Sequence, residues 1–502
     1  IYISSMSSLV ENGRKKLKFV HFPSFSRVLV FLLVLNLIYI PGSRANSFNT
    51  ITVLSSENIT TSIDGTSLNI YLNTFRPNMS VGFVINLHNS DSATITTEKN
   101  SLVVPPNGSF QFTVDFKNSL QNSDLKTPLR SYSLDGTPQS RIQVFSTPPD
   151  FPTISFSGDT SLIKNKQVLS TPVVKEGNYA ISSIGTSINF FTKSANNLLG
   201  FRRLTDNSAV PTPGGTPVYG YLEQKDFHVT ATSPGIWRLL DSGFNTVSRI
   251  NALKTKFGTV LPEGHGMTIS PSGYPVVITT PTRNVNSNWL KRPFDRPILD
   301  CDIAEVHNGK SIREFSFWDW ADKNRSLMEP FLDGMALFTD PQNPKATPYD
   351  ICHANSLQYS NYLNAYVISI RSPSIILIVD RQLSKATMLL SAPNALQHFA
   401  RAISSKEITA LGNYTLAKNS KFLDFKFKDG RWNLITYEFP TWVQFCGNTN
   451  FLNSNYIWLG GGCGPFKSGV LGAVYKISNG TLVEVGQMRM QDFTYSYRAD
   501  LS

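Results

Sequence analysis

Three histidines open three similar stretches of the chain: "HGMTISPSGYPVVITT" from His265, "HANSLQYSNYLNAYVISI" from His353 and "HFARAISSKEITAL" from His398. Asn355 follows the second histidine by two residues, and Arg371 ends the apolar run that comes after it. A neutral imidazole can attack an electrophile or carry a proton. Guanidinium and amide groups donate hydrogen bonds to negatively charged oxygen. Brought together, three histidines can ligate a divalent metal, or they can join Arg371 and Asn355 in holding a sulfate or phosphate group. An arginine repels a bound cation, which favours the oxyanion.

Residues so far apart in sequence meet only if the fold superposes their positions, and the spacing predicts such a fold. Each stretch has an aliphatic residue four or five positions after its histidine, a serine at the seventh (Ser272, Ser360, Ser405) and then a second apolar run. "GNTNFLNSNYIWLGG" from Gly447 has the same shape, with glycine in place of the histidine. The last three copies start 45 and 49 residues apart. The first gap is 88, with long inserts expected near 283–298 and 318–350. Multi-stranded repeats of about 40–50 residues are the blades of a β-propeller. Two degenerate copies, around 178–215 and 220–260, bring the expected count to six. The inner strand of every blade lines the central channel, so equivalent positions converge at one mouth. His265, His353 and His398 are therefore expected to share a site, with Asn355 and Arg371 beside them.

The expected fold class is all-β: a six-bladed β-propeller preceded by a small antiparallel β-sandwich. Residues 1–45 read as an export signal. Arg14, Lys15, Lys16 and Lys18 precede the thirteen-residue apolar run Val28 to Ile40, shorter than the roughly 20 residues of a spanning helix. Ser43-Arg44-Ala45 fits cleavage after Ala45, giving a secreted chain; an uncleaved N-terminal anchor is the alternative. Residues 46–148 alternate apolar and polar in runs such as "TSLNIYLN" and "SFQFTVDFK" and are assigned to the sandwich. After the linker-like "STPPDFP" (146–152), residues 149–502 are assigned to the propeller.

Without the leader, 40 Lys/Arg stand against 34 Asp/Glu, a net charge of +6. No basic run alternates with aromatics, so no nucleic-acid partner is expected, while a small anionic substrate is compatible. Four cysteines (Cys301, Cys352, Cys446, Cys463) in an exported chain favour two disulfides over metal ligation. Three pairings are possible, and Cys301–Cys352 with Cys446–Cys463 is the expected one. Six glycosylation sequons, at Asn58, Asn78, Asn107, Asn324, Asn413 and Asn479, are permissive of a secretory route.

"DICHANS", "SIR" ending eighteen residues after His353, and "LQHFA" together resemble the arylsulfate sulfotransferases. So do "HGMTISPSGYPVVIT", "CDIAEVHNGKSIREFSFWDW" and the C-terminal "GAVYKISNGTLVEV" and "YSYRADL". The resemblance extends over about 255–500 and is faint over 150–255. It implies a six-bladed propeller, with an N-terminal sandwich in the bacterial members. It also implies transfer of a sulfuryl group from an aryl sulfate to a phenolic acceptor, with no nucleotide donor and no cofactor. His398 would be the transiently sulfated nucleophile in a ping-pong cycle. His353, Asn355 and Arg371 would hold the sulfuryl oxygens, and His265 would exchange protons with the phenols. A homodimer is compatible with it. Phe399 stands where the family has Asp after Gln-His, and "KATMLLSAP" lacks the usual Trp-x-Leu-Gly-Gly.

Other readings have less behind them. "CGPFK" at Cys463 is a near miss to the Cys-x-Pro-x-Arg of ordinary sulfatases and reads as a turn. "PTPGGTPVYG" has the glycines of a phosphate loop without its lysine. Trp318 and Trp320 alternate at strand spacing and are expected to pack a blade edge, and Asp380-Arg381 reads as a turn pair. Asn413 can match a family asparagine near the site, but it is also a sequon, and a glycosylated asparagine would face solvent, so it is not assigned to the site. The rival to an enzyme is an inactive extracellular propeller that binds a small ligand or a protein partner.

Overall fold

The computed structural model describes residues 36–39 and 50–501, apart from 56, 65–66, 88–92, 97–100, 135–136, 175–176, 206–216, 226–233, 334–347, 415–416, 444–445, 463–468 and 492. The expected cleavage point after Ala45, the "CGPFK" turn and Cys463 lie outside the described residues. Within the expected leader, Asn36–Tyr39 is a strand paired with Thr50–Ser55. No described helix is long and apolar enough to cross a membrane.

The described chain is nearly all β. Two sheets form the N-terminal part. One holds Asn36–Tyr39, Thr50–Ser55, Ser80–Leu87 and Ser109–Asp115. The other holds Ile59–Asp64, Ser67–Leu72, Thr137–Phe145, Pro128–Leu134, Ala93–Thr96 and Ser101–Val104 in that order. Alternation puts Val81, Phe83 and Ile85 of one sheet into the same core as Leu68, Ile70, Ile142 and Val144 of the other. The sheets are not purely antiparallel, because Ile142–Phe145 pairs in parallel with Leu68–Tyr71.

Six larger sheets and a small three-stranded one follow among the described residues. Four are meanders in chain order: Asn197–Arg203 to Thr246–Ile250, Pro262–Ile269 to Lys310–Ser316, Ala354–Ser360 to Ala386–Ser391, and His398–Ser404 to Arg431–Phe439. A fifth, Asn448–Asn453 to Thr481–Met490, takes Ile154–Gly158 as its outer strand. The sixth joins the C-terminal strand Phe493–Leu501 to Gln167–Val174, Gly177–Ile184 and Ser187–Ser194. The two degenerate repeats are thus shifted from their expected bounds. One spans 197–250, and the other is completed by a strand some 300 residues away, which local spacing cannot reveal. Inner strands adjoin in a cycle: Asn197–Arg203 meets Pro262–Ile269, then come Ala354–Ser360, His398–Ser404, Asn448–Asn453 and Phe493–Leu501, which lies against Asn197–Arg203 again.

Strands in the middle of these sheets are apolar on both faces. Ile375–Asp380, "IILIVD", is buried at its first five positions, because neighbouring sheets cover both sides. The insert after Thr279 carries a small three-stranded sheet and two helices, Phe317–Lys323 and Arg325–Leu332. Trp318 and Trp320 are therefore helical, not strand residues as their alternation suggests. Ser316 caps the helix, its hydroxyl accepting from Asp319 N at 3.0 Å, so the local signal was Ser-x-x-Asp. Buried Asp300 accepts from Trp318 N at 2.9 Å and from Ser316 Oγ at 2.6 Å. Trp318 and Met328 then pack into the apolar layer of Ile351, Tyr366 and Ile368.

Candidate active site

His265 lies within Pro262–Ile269, His353 just before Ala354–Ser360 and His398 at the start of His398–Ser404, three adjoining inner strands whose ladders are broken there. Register shifts fall between Pro262 and Met267, between Ala354 and Ser356, and between His398 and Arg401. His353 and Phe399 have φ of 49° and 57°. Such bulges re-aim side chains that a regular strand would point elsewhere. Here they bring the rings of His265 and His353 to 5.2 Å between centroids, with the Tyr497 ring 5.0 Å from that of His265.

Each imidazole is held by its Nδ1. His265 Nδ1 bonds Glu263 Oε1, and the other oxygen of Glu263 accepts from the His265 backbone N–H at 2.6 Å. His353 does the same with Asp350: Nδ1 to Oδ2 at 2.6 Å and backbone N to Oδ1 at 2.8 Å. His398 differs, its Nδ1 lying 2.5 Å from Asn413 Oδ1. The amide nitrogen of Asn413 donates to Val443 O at 2.8 Å and Cys446 O at 3.2 Å. That fixes which end of the amide faces the ring. The ring must donate from Nδ1, and the lone pair sits on Nε2.

Two of these partners, Glu263 and Asp350, have no counterpart at equivalent repeat positions, standing two and three residues before their histidines. "EGH" and "DICH" were the available signals. Asn413, left out of the site on its sequon, is 1% exposed and so does not face solvent. Asn58, Asn78, Asn107 and Asn479 are exposed, in contrast.

Arg371 sits on the turn beside His353, its backbone N–H donating to His353 O at 3.2 Å. Burial lowers it to about 10, opposed by the charge of Asp350, so it stays a cation at neutral pH. Burial also holds His398 well below the ordinary histidine value, helped by Arg371, His353, Arg498 and His265. His265 is lowered by burial too, against the pull of Glu263. The nucleophile candidate is thus a neutral imidazole in a cationic surround.

Asn355 is fully buried and donates from Nδ2 to Gln397 O at 2.7 Å. It braces the peptide just before His398, so the expected contact with substrate oxygens is not where its bonded N–H points. Gln397 in turn donates to Ile370 O at 2.9 Å and Ile375 O at 2.7 Å, fixing both ends of the Arg371 turn.

Arg498 was not singled out from the sequence. Its guanidinium donates to His265 O at 3.2 Å and also to Asn355 O, tying two histidine strands together. Arg202 donates to His265 O at 2.7 Å. Phe399 covers this layer, its ring centroid 5.1 Å from the Arg498 guanidinium and 5.0 Å from that of Arg401. The Cys301–Cys352 disulfide forms as expected, immediately before His353. Cys446 is also disulfide-bonded.

No family model matches the sequence, and no curated protein matches it. Several solved structures are distantly similar. A protein of unknown function from Bacteroides caccae is 8% identical over 67% of this chain and 98% of its own, with a TM-score of 0.39. A candidate 6-phosphogluconolactonase from Bacteroides fragilis is 12% identical over 64% and 82%, at 0.35. Hydrazine synthase of Kuenenia stuttgartiensis is 12% identical over 76% and 98%, at 0.27. Likenesses this distant carry no functional argument.

Proposed function

We propose that the chain is an exported, six-bladed β-propeller enzyme that moves a sulfuryl group from an aryl sulfate to a phenolic acceptor through a sulfohistidine. The cyclic adjacency of the inner strands supports the propeller, and the buried disulfide fits an oxidising compartment. One observation carries the enzymatic reading. Three imidazoles anchored at Nδ1 leave Nε2 as their reactive atom, and the one backed by a neutral amide is held unprotonated.

The division of labour follows from those partners. His398 Nε2 gives its lone pair to sulfur as the sulfur–oxygen bond to the aryl group breaks. The departing phenolate takes a proton from the imidazolium form of a carboxylate-backed histidine, His265 or His353, which is left neutral. The acceptor phenol then returns its proton to that imidazole as its oxygen attacks sulfur and the nitrogen–sulfur bond breaks. Glu263 and Asp350 stabilise the imidazolium that exists before the first transfer and after the second. Arg371 faces the charge that spreads over the sulfuryl oxygens.

The test is release of 4-nitrophenol from its sulfate ester by secreted protein, with and without an added phenol, beside His398→Ala. The expected result is acceptor-dependent release, a new sulfate ester, and loss of both in the variant. Release without acceptor makes the protein a hydrolase. No turnover by folded protein with several donors leaves a propeller that binds a ligand without transforming it.

A further inference from the structure

A second polar site lies further along the same inner strands. A cavity of about 200 Å³ is lined by residues that follow the three histidines by one to five positions, among them Thr268, Gln358 and Arg401. A single water needs about 10–15 Å³, and drug-sized ligands usually occupy about 300 Å³ or more. The space therefore suits a small molecule.

Its polar groups are unsatisfied in a specific way. Asp500 is 1% exposed, and neither of its carboxylate oxygens has a hydrogen-bond partner among the described residues. Gln358 Oε1 and Arg203 Nε are buried without partners too. Arg401 reaches Asp500 only at 3.6 Å, an ion pair without a hydrogen bond. Orphaned buried acceptors of this kind are costly, and here they share one cavity with the cationic Arg202, Arg203 and Arg401. The acceptors call for a ligand that donates hydrogen bonds, and the guanidiniums call for an anionic group. Leu204, Met267 and Ile403 leave an apolar wall beside them.

We propose that this cavity binds a small carboxylate bearing a hydrogen-bond donor on the neighbouring carbon, an α-amino or α-hydroxy acid. Its anionic end pairs with Arg401 and Arg203, its donor with Asp500 and Gln358, and its side chain with the apolar wall. The site is separate from the histidines and does not depend on the transferase reading.

The test is calorimetric titration of the full secreted chain with three molecules of one skeleton: leucine, 2-hydroxy-4-methylpentanoate and 4-methylpentanoate. Leucine or the hydroxy acid is expected to bind at least tenfold more tightly than 4-methylpentanoate, which lacks the donor. The tighter of the two names the donor as ammonium or hydroxyl. Asp500→Asn and Arg401→Gln should each weaken that binding about tenfold or more, with thermal unfolding used to confirm that they are folded. Gln358→Met, which removes an acceptor without changing charge, serves if Asp500→Asn does not fold. Equal binding of all three, no binding of any, or variants that bind as the parent does overturn the proposal. Because heat is read and not turnover, an inactive sulfuryl transferase would leave the result intact.

Discussion

His398 Nδ1 lies 2.5 Å from Asn413 Oδ1, and the Asn413 amide nitrogen is spent on two carbonyls of the segment leading to the next sheet, Val443 and Cys446. One asparagine therefore sets the tautomer of the candidate nucleophile and ties its strand to the segment that leads to the next sheet. Asn413→Ala should lower kcat for aryl sulfate far more than it changes KM, because the ring loses its orientation and not its contact with substrate. It also strands two buried carbonyls, a cost of about 1–3 kcal/mol each at most. Steady-state kinetics beside a denaturant melt separates the two effects; a change confined to stability would make Asn413 structural only.

Acid should act on this cluster in a defined direction. His398 and His265 are both held below the ordinary value of 6.5 by burial. Below pH 6.5 the unfolded chain takes up protons that the folded chain refuses, so stability is fully present above that pH. It declines as pH falls towards the folded values and levels off beneath them. The neutral imidazole required for attack likewise persists below pH 6.5, so the acid limb of kcat should lie under that value. Asn413→Asp places a carboxylate against the ring and should move that limb upward. A limb at 6.5 or above in the parent protein would contradict the buried, cationic setting.

Asp350 holds His353 by both ring and backbone and lends its charge to Arg371. Asp350→Asn keeps the shape and removes the charge that stabilises an imidazolium. A loss of about 10²-fold or more in kcat is expected if His353 carries the proton, the usual scale for general acid–base catalysis. Donors with better leaving groups should lose less, since they need less protonation. An equal loss for poor and good leaving groups would assign proton transfer to His265 instead.

Much of this arrangement is written locally. The repeat of His265, His353 and His398 is visible because each lies in or just before the first half of an inner strand, and the apolar runs after them have strand length. Arg371 could be placed beside His353 because a hairpin of known length separates them. The supports are not written that way. Glu263, Asp350 and Asn413 stand at three different offsets from their histidines, as expected where bulges interrupt the ladder. Arg498 belongs to a strand that enters the group only when the C-terminus pairs with Gln167–Val174. Trp318 and Trp320 misled because two aromatics spaced by one residue fit a strand, while the cap at Ser316 decides for helix.

The disulfide offers a test that joins stability to the site. Cys301 and Cys352 close a loop with a sequence separation of 51, and Cys352 immediately precedes His353. The Ala354 N–H also donates to Cys301 Sγ at 3.2 Å, so the bridge fixes the peptide on both sides of that histidine. In the chain-entropy view a crosslink of this span contributes about 4 kcal/mol by restricting the unfolded state. Cys301→Ser with Cys352→Ser should therefore lose roughly 2–5 kcal/mol in a denaturant melt. At low temperature, where the variant is still folded, kcat should fall while ligand binding in the second cavity is unchanged. The strands that line that cavity hold no part of the bridge. Equal loss at both places would mean that the bridge supports the whole assembly of sheets and has no particular hold on His353.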